Sequence, residues 1–212
     1  MANKITTWTP VDPPFRRAKQ KVFLETAVTG QFIYQLGEGM LRKSSAQVKP
    51  KDISSKAFQK KLRFVEQCLL KYRQLTGMGR GISAVQVGIQ ECFTIIYMPE
   101  NKSGFMIMIN PVIMKRSEKK LRYPEICMSA HPLVAPVVQS EWVEVEYYDE
   151  LGDKQYWAQK SNTKQGRIYN RVLQHEIDHL NGIINIDRVA AKDIIFALDP
   201  DFYEQATFEE II

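Results

Sequence analysis

Residues 174–180 read Gln-His-Glu-Ile-Asp-His-Leu and contain two of the three histidines in the chain. In an α-helix, side chains four residues apart lie on one face, so His175 and His179 would present their imidazoles together. Two imidazoles at this spacing can bind one metal ion, with Glu176 near enough to move a proton there. The segment therefore predicts a helix that carries a metal centre.

Two imidazoles leave the ligand set incomplete, because a catalytic metal usually has three protein ligands and an open position. Downstream of His179 the chain has no further His or Cys, and the remaining candidates are acidic: Glu204, Glu209 and Glu210. Upstream, Cys127 within Glu-Ile-Cys-Met-Ser (125–129) is a better candidate. The other two thiols, Cys68 and Cys92, are expected to be small buried hydrophobic side chains.

Composition places the chain among soluble globular proteins. Its 212 residues are 44% hydrophobic and 25% charged, which suits one domain with a sizeable core. No apolar run is long enough to cross a membrane, and the N-terminus lacks the apolar core of a secretory signal. Three Cys, one of them assigned to a metal, favour a reducing compartment. We therefore expect a cytoplasmic protein that has no membrane partner.

Hydrophobic periodicity predicts the helices. Residues 54–75 have apolar side chains at three- and four-residue steps, and Gly77 marks the end of the pattern. These apolar residues are Phe58, Leu62, Val65, Leu69 and Leu75. The metal helix is expected over 166–181. Weaker patterns predict helices over 18–34 and 200–210.

The strand predictions rest on short apolar or alternating runs. Residues 92–98 and 105–109 are typical of strands. Asn110-Pro111 is expected to stop the second, with residues 112–114 as the alternative in which it resumes. Residues 142–148 alternate, and the turn signal at 150–153 predicts a hairpin. Local strand pairs with one central helix predict an α+β fold.

Three segments, in order, resemble the motifs of the peptide deformylases. They are Gly-Arg-Gly-Ile-Ser-Ala-Val-Gln (79–86), Glu-Ile-Cys-Met-Ser (125–129) and Gln-His-Glu-Ile-Asp-His-Leu (174–180). Residues 36–43, 142–152 and 182–188 extend the similarity. The resemblance implies a catalytic domain over 35–189, preceded by an N-terminal extension (1–34) and followed by an acidic tail (190–212). It also implies small antiparallel sheets packed around a central metal-binding helix.

The resemblance further implies an enzyme that removes the formyl group from the N-terminal methionine of new chains. Cys127, His175 and His179 would bind the metal, usually Fe²⁺ in the family, with Zn²⁺ or Ni²⁺ also compatible with a Cys-His₂ site. Glu176 would pass the proton of water to the leaving amine. The amide of Gln86 and the backbone N–H of Met128 would meet the oxyanion. The segment with Gly79, Gly81 and Ile82 would pair edge to edge with the peptide, beside Ile126.

The chain departs from the family pattern beside the expected site. Ile126 stands where the family has Gly, and Met128 where it has Leu. Gln139 replaces an Arg, and Val134 aligns with a substrate-facing Arg of some members. If the backbone at residue 126 has a positive φ, Ile is strained there; if it is extended, Ile narrows the cleft. A nearby histidine, His131, is expected at the surface.

These departures leave alternatives to an active deformylase. One is a deformylase-like metallohydrolase with another N-acyl or peptide substrate. Another is a weakly catalytic metal-binding protein that acts by interaction. A more distant one is a zinc protease with Glu204 as the third ligand.

Charge is unevenly distributed along the chain. The formal net charge is +5, but the tail after residue 189 carries one Lys and six acidic residues, which leaves +10 on residues 1–189. Solvated Lys and Arg side chains explain the basic part, and no nucleic-acid motif is present, so no specific nucleic acid is expected. A deformylase would work in transient proximity to the ribosome. The acidic tail is not expected to hold it on ribosomal RNA, because phosphate would repel it.

Overall fold

The computed structural model describes residues 28–159, 163–197 and 207–211, in which two long α-helices and nine strands are found. The helices are α1 (Lys56–Thr76) and α2 (Lys164–Leu180), and the strands are β1 (Gly81–Ser83), β2 (Phe93–Tyr97), β3 (Phe105–Arg116), β4 (Lys120–Ile126), β5 (Leu133–Ser140), β6 (Val143–Tyr148), β7 (Lys154–Trp157), β8 (Ile195–Phe196) and β9 (Glu209–Ile211). No described helix is long and apolar enough to cross a membrane. Most of the helix predicted over 18–34 lies outside the described residues.

The strands form two antiparallel sheets. The five-stranded sheet has the order β1-β2-β3-β6-β7, and the four-stranded sheet has the order β8-β5-β4-β9. β1 is the first strand of its sheet, so within the described residues one of its edges has no strand partner.

Helix α1 covers one face of the five-stranded sheet. Its first turn is capped by the Ser55 hydroxyl, which accepts a hydrogen bond from the Phe58 N–H at 3.2 Å, and Gly77 ends it with a φ of 72°. The apolar residues at three- and four-residue steps pack on Phe93 and Ile95, as the periodicity predicts. Leu75 is an exception, because it is exposed at the end of the helix.

Helix α2 lies between the two sheets. Thr163 caps its start by accepting a hydrogen bond from the Gly166 N–H at 3.1 Å, and Asn181 caps its end, close to the predicted limits. Its apolar side chains pack on the opposite face of the five-stranded sheet, where Ile96 and Met108 point. Its Arg171 reaches main-chain oxygens of β4 and β5. The α+β prediction with a central helix is therefore confirmed.

Several strands differ from the sequence predictions. β3 does not stop at Asn110-Pro111 but continues to Arg116 through an irregularity in its register. Asn110 has a φ of 54°, and its side chain hydrogen-bonds the backbone N–H and oxygen of Val48 at 2.8 and 2.7 Å. Strands β1, β4, β5 and β8 are not predicted by the sequence patterns.

The helix predicted over 200–210 is wrong where the structure describes it. Residues 200–206 lie outside the described ranges, but Glu209–Ile211 is a strand that pairs with Lys120–Arg122 of β4. Glu209 pairs with Arg122, and Glu210 with Lys119. Pairing with the edge of β4 overrides the local helical preference.

Candidate active site

The three residues predicted as metal ligands lie together. Cys127 directly follows β4, and His175 and His179 project from consecutive turns of α2. Their ligand atoms all lie within 4.8 Å of one another, and the Cys127 Sγ is 3.1 Å from the His179 Nε2. Both of those side chains are buried. This thiol and two imidazoles form a compact donor set for a single metal ion.

A carboxylate orients the first of the two imidazoles. The His175 Nδ1 lies 2.8 Å from the Glu125 Oε2, which leaves the Nε2 directed away from Glu125. Arg171 forms an ion pair with the other Glu125 oxygen, and Gln139 Nε2 is 3.4 Å from that oxygen. Asn185 donates a hydrogen bond to the Glu125 backbone oxygen at 3.0 Å. A carboxylate held in this way fixes the ring orientation of a metal-binding His.

Electrostatics at Glu125 follow from these contacts. Burial alone would raise the pKa of Glu125, but the charges and hydrogen bonds of Arg171 and His175 together outweigh it and hold the pKa below its usual range. Burial lowers the pKa of His175, but hydrogen bonds to Cys127 and Glu125 outweigh burial and raise it. Burial lowers the pKa of His179, and the nearby positive charges of His175 and Arg42 act in the same direction. His179 thus favours the neutral form, whereas His175 is held by the Glu125 carboxylate.

Glu176 is buried on the same helix, against β1. Its Oε2 accepts a hydrogen bond from the Ser83 hydroxyl at 2.8 Å. A Cβ added at Gly81 would lie 2.7 Å from the Glu176 Oε1, so only glycine allows this close approach. Burial raises the pKa of Glu176 to about 7, although His175 and Ser83 oppose the shift. A carboxylate with a pKa near neutrality suits a general base.

Gln86 directs its amide nitrogen toward the candidate ligands. The Gln86 Oε1 accepts a hydrogen bond from the Ser83 N–H at 2.9 Å. Its Nε2 lies 3.0 Å from the Ser129 hydroxyl and 3.8 Å from the Cys127 Sγ. Because the oxygen is already occupied, the N–H groups face the thiol side.

A cleft of about 510 Å³ opens beside these residues. One wall is formed by 79–81 and the other by 123–126, while Gln86, Met128 and Glu176 lie along it. Ile126 takes part in β4 opposite Val134, and its φ is not positive, so the strain alternative is excluded and the side chain narrows the cleft. The Ile82 side chain is fully buried in the core, so the predicted pairing with a peptide would involve its backbone.

The remaining candidates lie elsewhere or have other partners. His131 is buried rather than at the surface, so that expectation is wrong. Asp178 forms an ion pair with Arg188 and is not part of the donor cluster. Cys68 and Cys92 are buried, and Glu204 lies outside the described residues.

Sequence reasoning missed Glu125 and Arg171 as supporting residues. Arg171, His175 and His179 are spaced by four, so all three lie on one face of α2. This spacing could have predicted that the positive charge of Arg171 lies beside the metal site. The position of Glu125 two residues before Cys127 was another.

We expect Arg171→Met to lower both stability and metal affinity. The substitution leaves Glu125 as a buried carboxylate without its guanidinium partner, which should cost about 3–5 kcal/mol in the free energy of unfolding. Loss of the support for His175 should weaken metal binding by about 10–100-fold. Urea unfolding and metal titration would measure the two effects.

The control variant for Arg171→Met changes Arg122, and the rescue variant changes Gln139. Arg122→Met removes an exposed pair with Glu209 and should cost less than about 1 kcal/mol. Gln139→Arg should restore part of the loss in Arg171→Met, since residue 139 already approaches the same oxygen of Glu125. Equal costs for the Arg171 and Arg122 variants would contradict this role of Arg171.

Comparison with known proteins identifies the family. The sequence model described as Polypeptide deformylase matches residues 31–194. A peptide deformylase of Prochlorococcus marinus (strain MIT 9312) is 31% identical over 163 residues, covering 76% of this chain and 74% of the relative. The Plasmodium falciparum peptide deformylase structure is 28% identical with a TM-score of 0.64, covering 76% of this chain and 90% of that one. A class I type b peptide deformylase from Acinetobacter baumannii is 25% identical with the same TM-score of 0.64, covering 74% of this chain and 96% of that one. The chain belongs to the peptide deformylase family.

Proposed function

We propose that this chain removes the N-formyl group from the N-terminal formylmethionine of nascent peptides, with one divalent metal ion held by Cys127, His175 and His179. The observation that carries the proposal is the buried cluster of these three donors beside Glu176 and the open cleft. Membership of the deformylase family supports the reaction.

The residues present fit a metal ion. The thiol and the imidazole nitrogens converge, and Glu125 occupies only the Nδ1 of His175. A Cys-His₂ set suits Fe²⁺, Zn²⁺ or Ni²⁺, and we propose Fe²⁺ as the physiological ion. A bound ion would supply Lewis-acid polarisation of the formyl carbonyl and would lower the pKa of water.

Glu176 would move the protons of the reaction. Its carboxylate would take a proton from the attacking water and give it to the amine nitrogen of the leaving methionyl peptide. The Ser83 hydroxyl holds one carboxylate oxygen in place, and Gly81 leaves room for the other. The water oxygen would form a bond to the formyl carbon, the C–N bond would break, and both protons of water would end on the amine, so the products are formate and a peptide with an ammonium N-terminus.

Gln86 and Met128 would stabilise the developing negative charge. The amide oxygen of Gln86 is held by Ser83, so its Nε2 can donate to the formyl oxygen. The family resemblance adds the Met128 N–H as a second donor. Both residues line the cleft.

The test of the proposed function is formate release. We expect the protein, purified anaerobically and loaded with Fe²⁺, to release formate from formyl-Met-Ala and not from acetyl-Met-Ala. Release from both would favour the alternative of a broader N-acyl hydrolase. Failure with both, at full metal occupancy, would contradict the proposal.

Ile126→Gly should raise kcat/KM on formyl-Met-Ala severalfold, mainly through KM. Ile126 lies in extended backbone, and its side chain is part of the wall along which the peptide would pass. Each CH₂ contact of the peptide that it displaces should weaken binding by about 0.8 kcal/mol. Because the backbone is unstrained, the melting temperature should fall slightly rather than rise. Ile126→Ala should give an intermediate value. An unchanged KM at constant metal content would show that Ile126 is not the restriction.

The expected partners follow from the site. The substrate is an N-formylmethionyl peptide, and the A. baumannii relative was solved with Met-Ala-Ser bound. Transient proximity to the ribosome and a cytoplasmic location remain predictions.

A further inference from the structure

The C-terminal strand β9 lies in line with the cleft. It pairs antiparallel with β4 at Lys120, Leu121 and Arg122, with Glu209 opposite Arg122. β4 continues beyond this pairing to Ile126, and residues 123–126 form one wall of the cleft. The same strand therefore pairs with the C-terminal segment at one end and borders the cleft at the other.

Phe208 stands where β9 meets the cleft. Its ring stacks on Tyr123 with a centroid distance of 4.5 Å and an interplanar angle of 29°. Both rings line the cleft. Stacked aromatic rings are a preferred packing arrangement. This pair closes the end of the cleft wall that residues 123–126 form.

A bound peptide would run toward this pair. If its formyl group lies at Cys127, the chain must leave along Ile126 toward Tyr123, antiparallel to β4 and in the same direction as β9. A strand rises about 3.3 Å per residue, so the path from residue 126 to residue 123 accommodates about three residues. The fourth residue would meet Phe208.

We propose that the C-terminal strand limits the length of peptide that the cleft accepts, because residues 207–211 and the distal part of a longer peptide compete for one edge of β4. This inference rests on the proposed function, since the formylated end fixes the direction of the peptide. Phe208 is thus a specificity-determining residue, and its ring is held in place by stacking on Tyr123.

The strand is held weakly enough to be displaced. Glu209 lies 2.8 Å from Arg122, while Glu210 lies 2.6 Å from Lys119 and 3.5 Å from Arg167. The side chains of Glu209 and Glu210 are about 60% exposed (62% and 61%), so water and salt screen these pairs. A longer peptide can therefore open the strand, but at a cost in affinity.

The experiment compares peptide lengths in the full-length, metal-loaded protein. The substrates are formyl-Met-Ala, formyl-Met-Ala-Ser and formyl-Met-Ala-Ser-Ala-Ala-Ala. One variant is Phe208→Ala, and a second combines Glu209→Lys with Glu210→Lys to repel the cations of β4 and α2. The matched control combines Glu150→Lys with Asp193→Lys, which makes the same charge change at exposed positions away from β9.

In the wild type, kcat/KM should not rise from the tripeptide to the hexapeptide. In both variants, the ratio of the hexapeptide value to the formyl-Met-Ala value should rise about fivefold, a gain on the order of one net backbone hydrogen bond. The control should behave as the wild type. Equal changes for short and long peptides, or a wild type that already prefers the hexapeptide, would overturn the proposal.

Binding of the unformylated peptides by calorimetry separates this inference from the proposed function. The dissociation constants of Met-Ala-Ser and Met-Ala-Ser-Ala-Ala-Ala need no turnover. A protein that releases no formate but binds the hexapeptide more tightly only in the two β9 variants would contradict the reaction and support the length limit. Formate release with no length dependence of binding in any variant would support the reaction and contradict the length limit.

Discussion

Glu176→Gln is expected to retain the metal ion and to lose formate release by about 10²–10⁴-fold. The glutamine keeps the shape of the side chain and can still accept the hydrogen bond of Ser83, which lies 2.8 Å from the Glu176 Oε2. It cannot accept the proton of water at neutral pH. The loss should appear in kcat, because Glu176 moves protons and does not hold the peptide. Steady-state kinetics together with metal analysis would measure it.

Stability provides an internal control for the same variant. Burial raises the pKa of Glu176 to about 7 from an ordinary value near 4.5, so the metal-free folded state favours the protonated acid. The metal-free wild type should therefore lose stability as the pH rises from about 4.5 to 7, by roughly 3 kcal/mol in all. Glu176→Gln has no such loss and should be the more stable protein at pH 8, with little difference at pH 4. A variant that is less stable at pH 8 would mean that its low activity reflects damage to the fold.

The metal helix could be predicted from the sequence because its signal is local. His175, Glu176 and His179 lie within five residues, and helical geometry alone places both imidazoles on one face. The amphipathic pattern of α1 is local in the same sense. Cys127 required a comparison of three thiols, and the choice depended on the residues around it.

The residues that support the metal ligands could not be predicted from a local pattern of this kind. Glu125 and Arg171 are far apart in sequence, and their ion pair exists only because α2 packs against β4 and β5. β4 itself was missed because Pro124 and several charged residues oppose a strand assignment. In the structure, Pro124 lies opposite Pro136 of β5, so neither proline interrupts the antiparallel pair.

The C-terminal tail shows how tertiary contacts decide a weak preference. Its acidic residues suggested a solvated helix, but Glu209 and Glu210 lie beside cations of β4 and α2. The free edge of β4 supplies backbone partners that a short isolated helix would lack. The negative charge of the tail thus matches the positively charged surface on which it packs, although the predicted secondary structure was wrong.

Cys127→Ala is expected to abolish stable metal binding. Removal of a supporting residue typically costs about 10–100-fold in metal affinity, so removal of a ligand should cost more than about 100-fold. Two imidazoles would remain, which is fewer than the three protein ligands of a catalytic site. Metal content per chain after desalting, measured by mass spectrometry, and a competition titration with a chelator would quantify the loss. His179→Ala should behave in the same way.

The matched control is Cys68→Ala, which removes a buried thiol from α1 and should leave the metal content unchanged. The comparison also tests the zinc-protease alternative, in which Glu204 would be the third ligand and Cys127→Ala would keep its metal. The structure favours the thiol, because the Cys127 Sγ lies 3.1 Å from the His179 Nε2 and both groups are buried. Two of the acidic candidates downstream of His179, Glu209 and Glu210, are engaged with Arg122, Lys119 and Arg167. Full metal occupancy in Cys127→Ala would remove the thiol from the ligand set and require a carboxylate in its place.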